Sequence, residues 1–181
     1  MKNLLIVSHC ILNNAAKVEQ DEAELAEEYK IREELMQLIL KKMYSCFNCL
    51  VRNLLCMDLK RWGHVKNQFQ HPFYMEQCRK ILEPVLLQLQ DTYNIVEKFH
   101  VLGIVSVEGK SGTVDSQSRP VEGEWKGEIG TDEKRIQDIQ KSLKMTENPG
   151  VYMEVLEKEL QKRNMEIPIV TMKEAVQLLN N

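Results

Sequence analysis

Four consecutive apolar residues, Leu4-Leu5-Ile6-Val7, end abruptly at Ser8-His9-Cys10. A strand without polar alternation is buried on both faces, and such strands belong to parallel sheets covered by helices. The rest of the chain supplies the covering elements. Asp21 to about Lys42 has a helical period, with Leu25, Tyr29, Leu35, Leu38 and Ile39 on one side and Glu and Lys on the other. Phe47 to Cys56 reads as a second strand, in which Arg52 and Asn53 suggest a bulge or an exposed edge. Pro72 to about Tyr93 is a helix with Cys78, Ile81, Leu82, Val85, Leu86 and Leu89 as its stripe, and Pro84 predicts a kink or break.

Phe99 to Val107 is the third buried strand. Lys110 to Gly130 is polar and glycine-rich, the longest irregular stretch, and long loops in compact domains are usually functional or mobile. Helices are expected at about Thr131 to Lys144 and at Val151 to Arg163, the latter with Val155, Leu156 and Leu160 inward and Tyr152 and Met153 on the flanks. Ile167-Pro168-Ile169-Val170 is the last strand, its proline suited to an edge or a strand start. Thr171 with Glu174 predicts a capping box for a terminal helix. The alternation of elements predicts a doubly wound α/β domain over residues 1–181, with a mainly parallel sheet of about four strands flanked by helices.

Composition narrows the function classes. The chain has 181 residues, 43% hydrophobic and 28% charged, an ordinary globular mix. Twenty-four Lys and Arg against 27 Asp and Glu leave a net charge of −3, without the basic excess that nucleic-acid binding requires. No apolar run approaches ~18 residues, so a membrane span is not expected. The start of the chain lacks a secretory cleavage pattern, and its five cysteines are an odd number with none after Cys78. These features point to a cytoplasmic protein with thiols available for packing, metal ligation or catalysis.

In a doubly wound sheet, ligands bind outside the carboxyl ends of the strands at the switch point. Ser8-His9-Cys10, Cys56-Met57-Asp58 and Glu108 to Thr113 are therefore expected to converge on one crevice that takes a small-molecule ligand. Cys10 and Cys56 are the sharpest pair, because strands ~4.8 Å apart bring two soft thiolates within reach of one ion or cluster. The competing reading treats them as small apolar fillers. Cys46 and Cys49 have C-x-x-C spacing without a second pair, and on a strand they face opposite ways, so packing is favoured for them. Cys78 lies on an apolar helix stripe and reads as core. Lys60-Arg61-Trp62-Gly63-His64-Val65-Lys66 is dense in cationic and aromatic groups that suit an anion or a planar ligand, or else form a solvated turn. Asp58 is placed to act as base or acid. Glu108-Gly109-Lys110-Ser111-Gly112-Thr113 resembles a phosphate-cradling loop only loosely, lacking the P-loop spacing.

These motifs resemble those of the 2-thiouracil desulfurase family. Ser8-His9-Cys10-Ile11-Leu12-Asn13 looks like its opening motif, and Lys60 through Phe69 is similar to a motif of a desulfidase-related branch. The likeness continues through Pro72-Phe73, Cys78-Arg79, Gly103 to Gly109, Trp125 to Glu128 and Gly150 to Leu156. The resemblance implies removal of sulfur from thiolated, pyrimidine-like compounds by a [4Fe–4S] cluster held by three cysteines, its fourth iron open to the substrate's sulfur. Cys10 matches the first ligand and Cys56 the second, within a Cys-Pro-Glu motif that reads Cys56-Met57-Asp58, so Asp58 takes the catalytic glutamate's place. His9, Asn13, Trp62, His64, Gly109 and Thr113 would line the substrate site, with Ser111 as a second catalytic candidate.

The family's Ser-Pro-Ser-Cys-Gly loop reads Lys110-Ser111-Gly112-Thr113-Val114, and Thr113 stands near the third cysteine's place. A hydroxyl is a poor substitute for a thiolate. The departures fall on ligand and catalytic positions while the scaffold matches, which implies altered cluster chemistry. Recruitment of Cys49 as third ligand is one solution. A cluster-free binding protein, or an inactive homologue on the same fold, is the alternative.

Overall fold

The computed structural model describes residues 2–12, 22–49, 66, 69–94, 99–106, 121–122, 144–145 and 149–181. Strand β1 (Lys2–Ser8) runs into a single helical turn, α1 (His9–Leu12). Helix α2 (Glu22–Lys41) leads to β2 (Ser45–Cys49), α3 (Pro72–Asn94) to β3 (Phe99–Ser106), and α4 (Val151–Lys162) to β6 (Ile169–Thr171) and α5 (Met172–Asn180). Two short strands, β4 (Val121–Glu122) and β5 (Lys144–Met145), pair antiparallel. The first lies inside the stretch read as irregular, and the second at the end of the expected helix at 131–144, whose remainder lies outside the described residues.

The main sheet is four-stranded, in the order β2-β1-β3-β6, with every pair parallel. This is the α/β architecture that the apolar run at Leu4 to Val7 demanded. Those four residues are 5% exposed or less, and the two faces of the sheet carry separate cores. Leu5 and Val7 pack with Ile11, Leu35, Ile39, Val105, Ala175 and Leu179 on the α2/α5 side. Ile6 and Ile104 pack with Leu82, Leu86, Leu89, Tyr152 and Leu156 on the α3/α4 side. Two helices therefore cover each face.

A register shift between Leu4 and Leu5 against Val101 and Gly103 leaves one extra residue in β3. The bulge flips the alternation, so Val101 and Ile104 share one core while Leu102 and Val105 share the other. Gly103 is where β6's lead-in comes closest. A Cβ there would lie 3.0 Å from the Pro168 carbonyl, which accepts a hydrogen bond from the Ile104 amide at 2.8 Å.

Several expectations are corrected by packing. Helix α3 runs unbroken through Pro84, which lies on its exposed side among Glu83, Pro84 and Leu87, so the lost amide bond faces water. Tyr152 and Met153 are each 1% exposed rather than flanking, because α4 packs in one core with both α3 and the sheet. Tyr29 is an exposed residue, and Arg32 takes the buried position on the α2 stripe with Leu35 and Ile39. Strand β2 spans Ser45–Cys49; the remainder of the expected Phe47 to Cys56 strand lies outside the described residues. Strand β6 spans Ile169–Thr171 rather than Ile167 to Val170, so Pro168 lies just before an edge strand. Among the described residues, no helix is long and apolar enough to cross a membrane.

Candidate functional site

The chain order fixes where a ligand can sit. The β1–α2–β2 crossover goes one way along the sheet, and β2–α3–β3 returns past β1 to its other side. Right-handed crossovers in opposite directions place their helices on opposite faces. The reversal leaves a gap between the carboxyl ends of β1 and β3, the switch point of a doubly wound sheet.

The register draws one row across that edge. Ser8 pairs with Cys49, Val7 with Val105, and Ser106 with Thr171, so positions 49, 8, 106 and 171 stand level. Each strand thus turns polar or sulfur-bearing at the same height. The two serines staple the tips. Buried Ser8 Oγ donates to the Val105 carbonyl at 2.9 Å, and fully buried Ser106 Oγ donates to the Val170 carbonyl at 3.4 Å. Thr171 Oγ1 accepts from the Glu174 amide at 3.2 Å, while the Glu174 carboxylate accepts from the Thr171 amide at 2.8 Å, completing the expected capping box.

Of the residues read as site candidates, His9 and Cys10 open α1 directly after Ser8. His9 is half-buried. Asn13, Cys56, Asp58, Trp62, His64, Gly109, Ser111 and Thr113 lie outside the described residues. The register sets Cys49 level with Ser8, a position that the expected strand placed before its end. Cys46, three residues earlier on the strand, is exposed, and partial burial of its thiol pushes its pKa up, disfavouring the thiolate. Cys78 is fully buried in the α3/α4 core, as its stripe position indicated. Among the described residues there is no group of three or more His, Cys, Asp or Glu arranged to hold a metal ion.

Lys66 is the described end of the Lys60 to Lys66 run. It is 2% exposed, and its ammonium lies 2.5 Å from the Glu154 carboxylate in the first turn of α4. A charge this deeply buried needs its partner, so the pair ties Lys66 to the first turn of α4. Sequence reading placed Lys66 in a cationic cluster, but nothing in the spacing announced a buried ion pair 88 residues away. Arg32 was missed for a different reason. Its spacing to Leu35 and Ile39 puts it on their stripe, but its charge argued against counting it there.

A cavity of about 730 Å³ lies at the other end of β6, lined by Glu157, Leu160, Asn164, Met165 and Pro168. It opens at the amino end of that strand, away from the switch point, where doubly wound sheets do not place their ligands.

No model of a known protein family matches the chain, and no solved structure matches it. The uncharacterised protein MJ0003 of Methanocaldococcus jannaschii is similar, 32% identical over 104 residues, a stretch making up 57% of this chain and 64% of that protein. The chain therefore aligns with less than two thirds of that relative's length.

Proposed function

We propose that this protein is desulfidase-like, acting on a small thiolated, pyrimidine-like compound at the carboxyl edge of the sheet, with Cys10, Cys49 and Cys56 as the thiolates that hold an iron–sulfur cluster. The observation that carries the reading is the register Ser8↔Cys49. It sets one cysteine position at the tip of β2, next to the β1 tip from which Cys10 follows within two residues. Adjacent parallel strands are about 4.8 Å apart, so two cysteine positions there suit a shared soft-metal centre. Soft thiolates are the donors such a cluster takes, and Cys56, seven residues beyond Cys49 in the sequence, makes up three of them without requiring Thr113.

When bound, such a cluster supplies an open iron, a Lewis acid with affinity for sulfur. The chain's own residues do the rest. Asp58 accepts a proton from the attacking water and returns it to the departing sulfur. Trp62 and His64 bound the planar ring. Exchange of a thione sulfur for the oxygen of water releases sulfide and needs neither oxidant nor reductant.

The test is sulfide release from thiouracil by the anaerobically reconstituted chain. Activity that falls to background in Cys10→Ser, Cys49→Ser and Asp58→Asn alike supports the assignment. An inert but well-folded wild type that is nevertheless stabilised by nucleobases favours the cluster-free binding protein instead.

A further inference from the structure

Arg32 is the most anomalous side chain among the described residues. It is only 8% exposed, on the stripe of α2 that also carries Leu35 and Ile39 into the α2/α5 core. Its guanidinium stacks over the Tyr29 ring at 4.5 Å. Its Nη2 is buried and makes no hydrogen bond, not even to the carboxylate of Glu28 one turn away on the same helix. Burying a guanidinium nitrogen without an acceptor is costly. Buried polar groups in folded proteins are paired, and an exception calls for a missing partner.

The position says which partner. Helix α2 returns from the carboxyl end of β1 to the amino end of β2, so its earlier turns lie toward the switch-point edge, with Arg32 at its midpoint. Two contacts fix this height. Glu27, near the start of α2, pairs at 3.3 Å with Lys173 in the first turn of α5, which leaves the tip of β6. Ile11 of α1, just past the tip of β1, packs in the same core as Leu35. Arg32 stands one turn above Leu35, toward that edge. With Tyr29 holding one face of the guanidinium, the Nη2 edge is left to donate to an oxyanion, the ligand for which a planar fork of donors is best suited.

We infer that Arg32 is an anion-recognition residue of the switch-point site, and that the natural ligand is a small compound carrying a carboxylate or phosphate group. The inference rests on the reading above for the thiolated part of the ligand, but not for its charge. Charge recognition by Arg32 would set the substrate class: an acidic thiolated compound in preference to a neutral one.

Thermal shift and isothermal titration on the whole chain test it, with thiouracil, a carboxylated thiouracil and inorganic phosphate as probes. Wild type should bind the carboxylated compound about tenfold or more tightly than thiouracil, as expected of a charged hydrogen bond. Arg32→Met should lose that preference while its ligand-free melting temperature stays level or rises, because an unpaired buried charge is gone. Glu28→Gln should leave the preference intact or strengthen it. Phosphate binding that competes with the carboxylate identifies the oxyanion as the recognised group, and a response to the carboxylate alone narrows the ligand to carboxylates. Equal affinity of wild type for the charged and neutral compounds overturns the inference. So does a ligand-free Arg32→Met that melts well below wild type, since that marks a structural ion pair. Iron content measured on the same samples separates this failure from failure of the cluster.

Discussion

The cost of a buried charge depends on which partner is removed. Lys66 is buried almost completely, whereas the Glu154 side chain is 23% exposed. Glu154→Gln leaves a cation in the α3/α4 core and should cost about 3 kcal/mol or more. Lys66→Met leaves a carboxylate that can turn to water and should cost markedly less; paired urea titrations would show the asymmetry, and equal losses would refute it. Glu159 is read in the same terms. Its carboxyl is held below the usual range chiefly by the Lys162 hydrogen bond at 2.6 Å, and further by Arg163 at 2.7 Å, against the opposing effect of burial. A depressed folded-state pKa stabilises the protein above the unfolded value of about 4.3, and the gain is lost as pH falls through the folded value. The urea midpoint of Glu159→Gln should therefore lie below that of wild type at neutral pH and converge with it on acidification; a gap that stays constant with pH would contradict the assignment. Gly103 is constrained by space rather than charge. Gly103→Ala forces its new methyl against the Pro168 carbonyl and should cost about 1–3 kcal/mol.

Elements were legible where periodicity and end signals agreed. Helix α3 was read to within a residue at its C-terminal end because six apolar positions repeat along it, and α5 because Thr171 and Glu174 announce its start. Thr171→Ala should cost about 1 kcal/mol, measured by denaturant titration. The expected break at Pro84 failed because a proline on a solvent-facing turn loses a hydrogen bond without losing its packing. Val85 and Leu86, which follow it, are both buried and keep the helix one continuous element. Pro84→Ala should accordingly raise the melting temperature. Strand β2 begins two residues before the expected Phe47 because Ser45 and Cys46 look like loop. Only pairing with Leu4 and Leu5 reveals where the strand begins. The flanking positions of Tyr152 and Met153 went wrong for a similar reason: a helix pressed by neighbours on two sides buries more than one stripe.

At the scale of the molecule, one short apolar run dictated a parallel sheet, and the sheet dictated a ligand edge. That much follows from solvation alone: a strand buried on both faces needs helices on both, and crossovers in two directions leave a gap at the switch point. The row Cys49, Ser8, Ser106, Thr171 could not be read in advance, because it depends on a bulge in β3 and on the start of β2. Nor could the buried cations Lys66 and Arg32, which composition counts as surface. The proposed chemistry depends on whether the cysteines at this edge take up iron together. The decisive measurement is iron and acid-labile sulfide per chain after anaerobic reconstitution of wild type and Cys49→Ser. A brown wild type holding close to the cluster's full iron complement, and a variant that cannot retain it, are the expected result; a colourless wild type with less than one iron per chain would contradict the account.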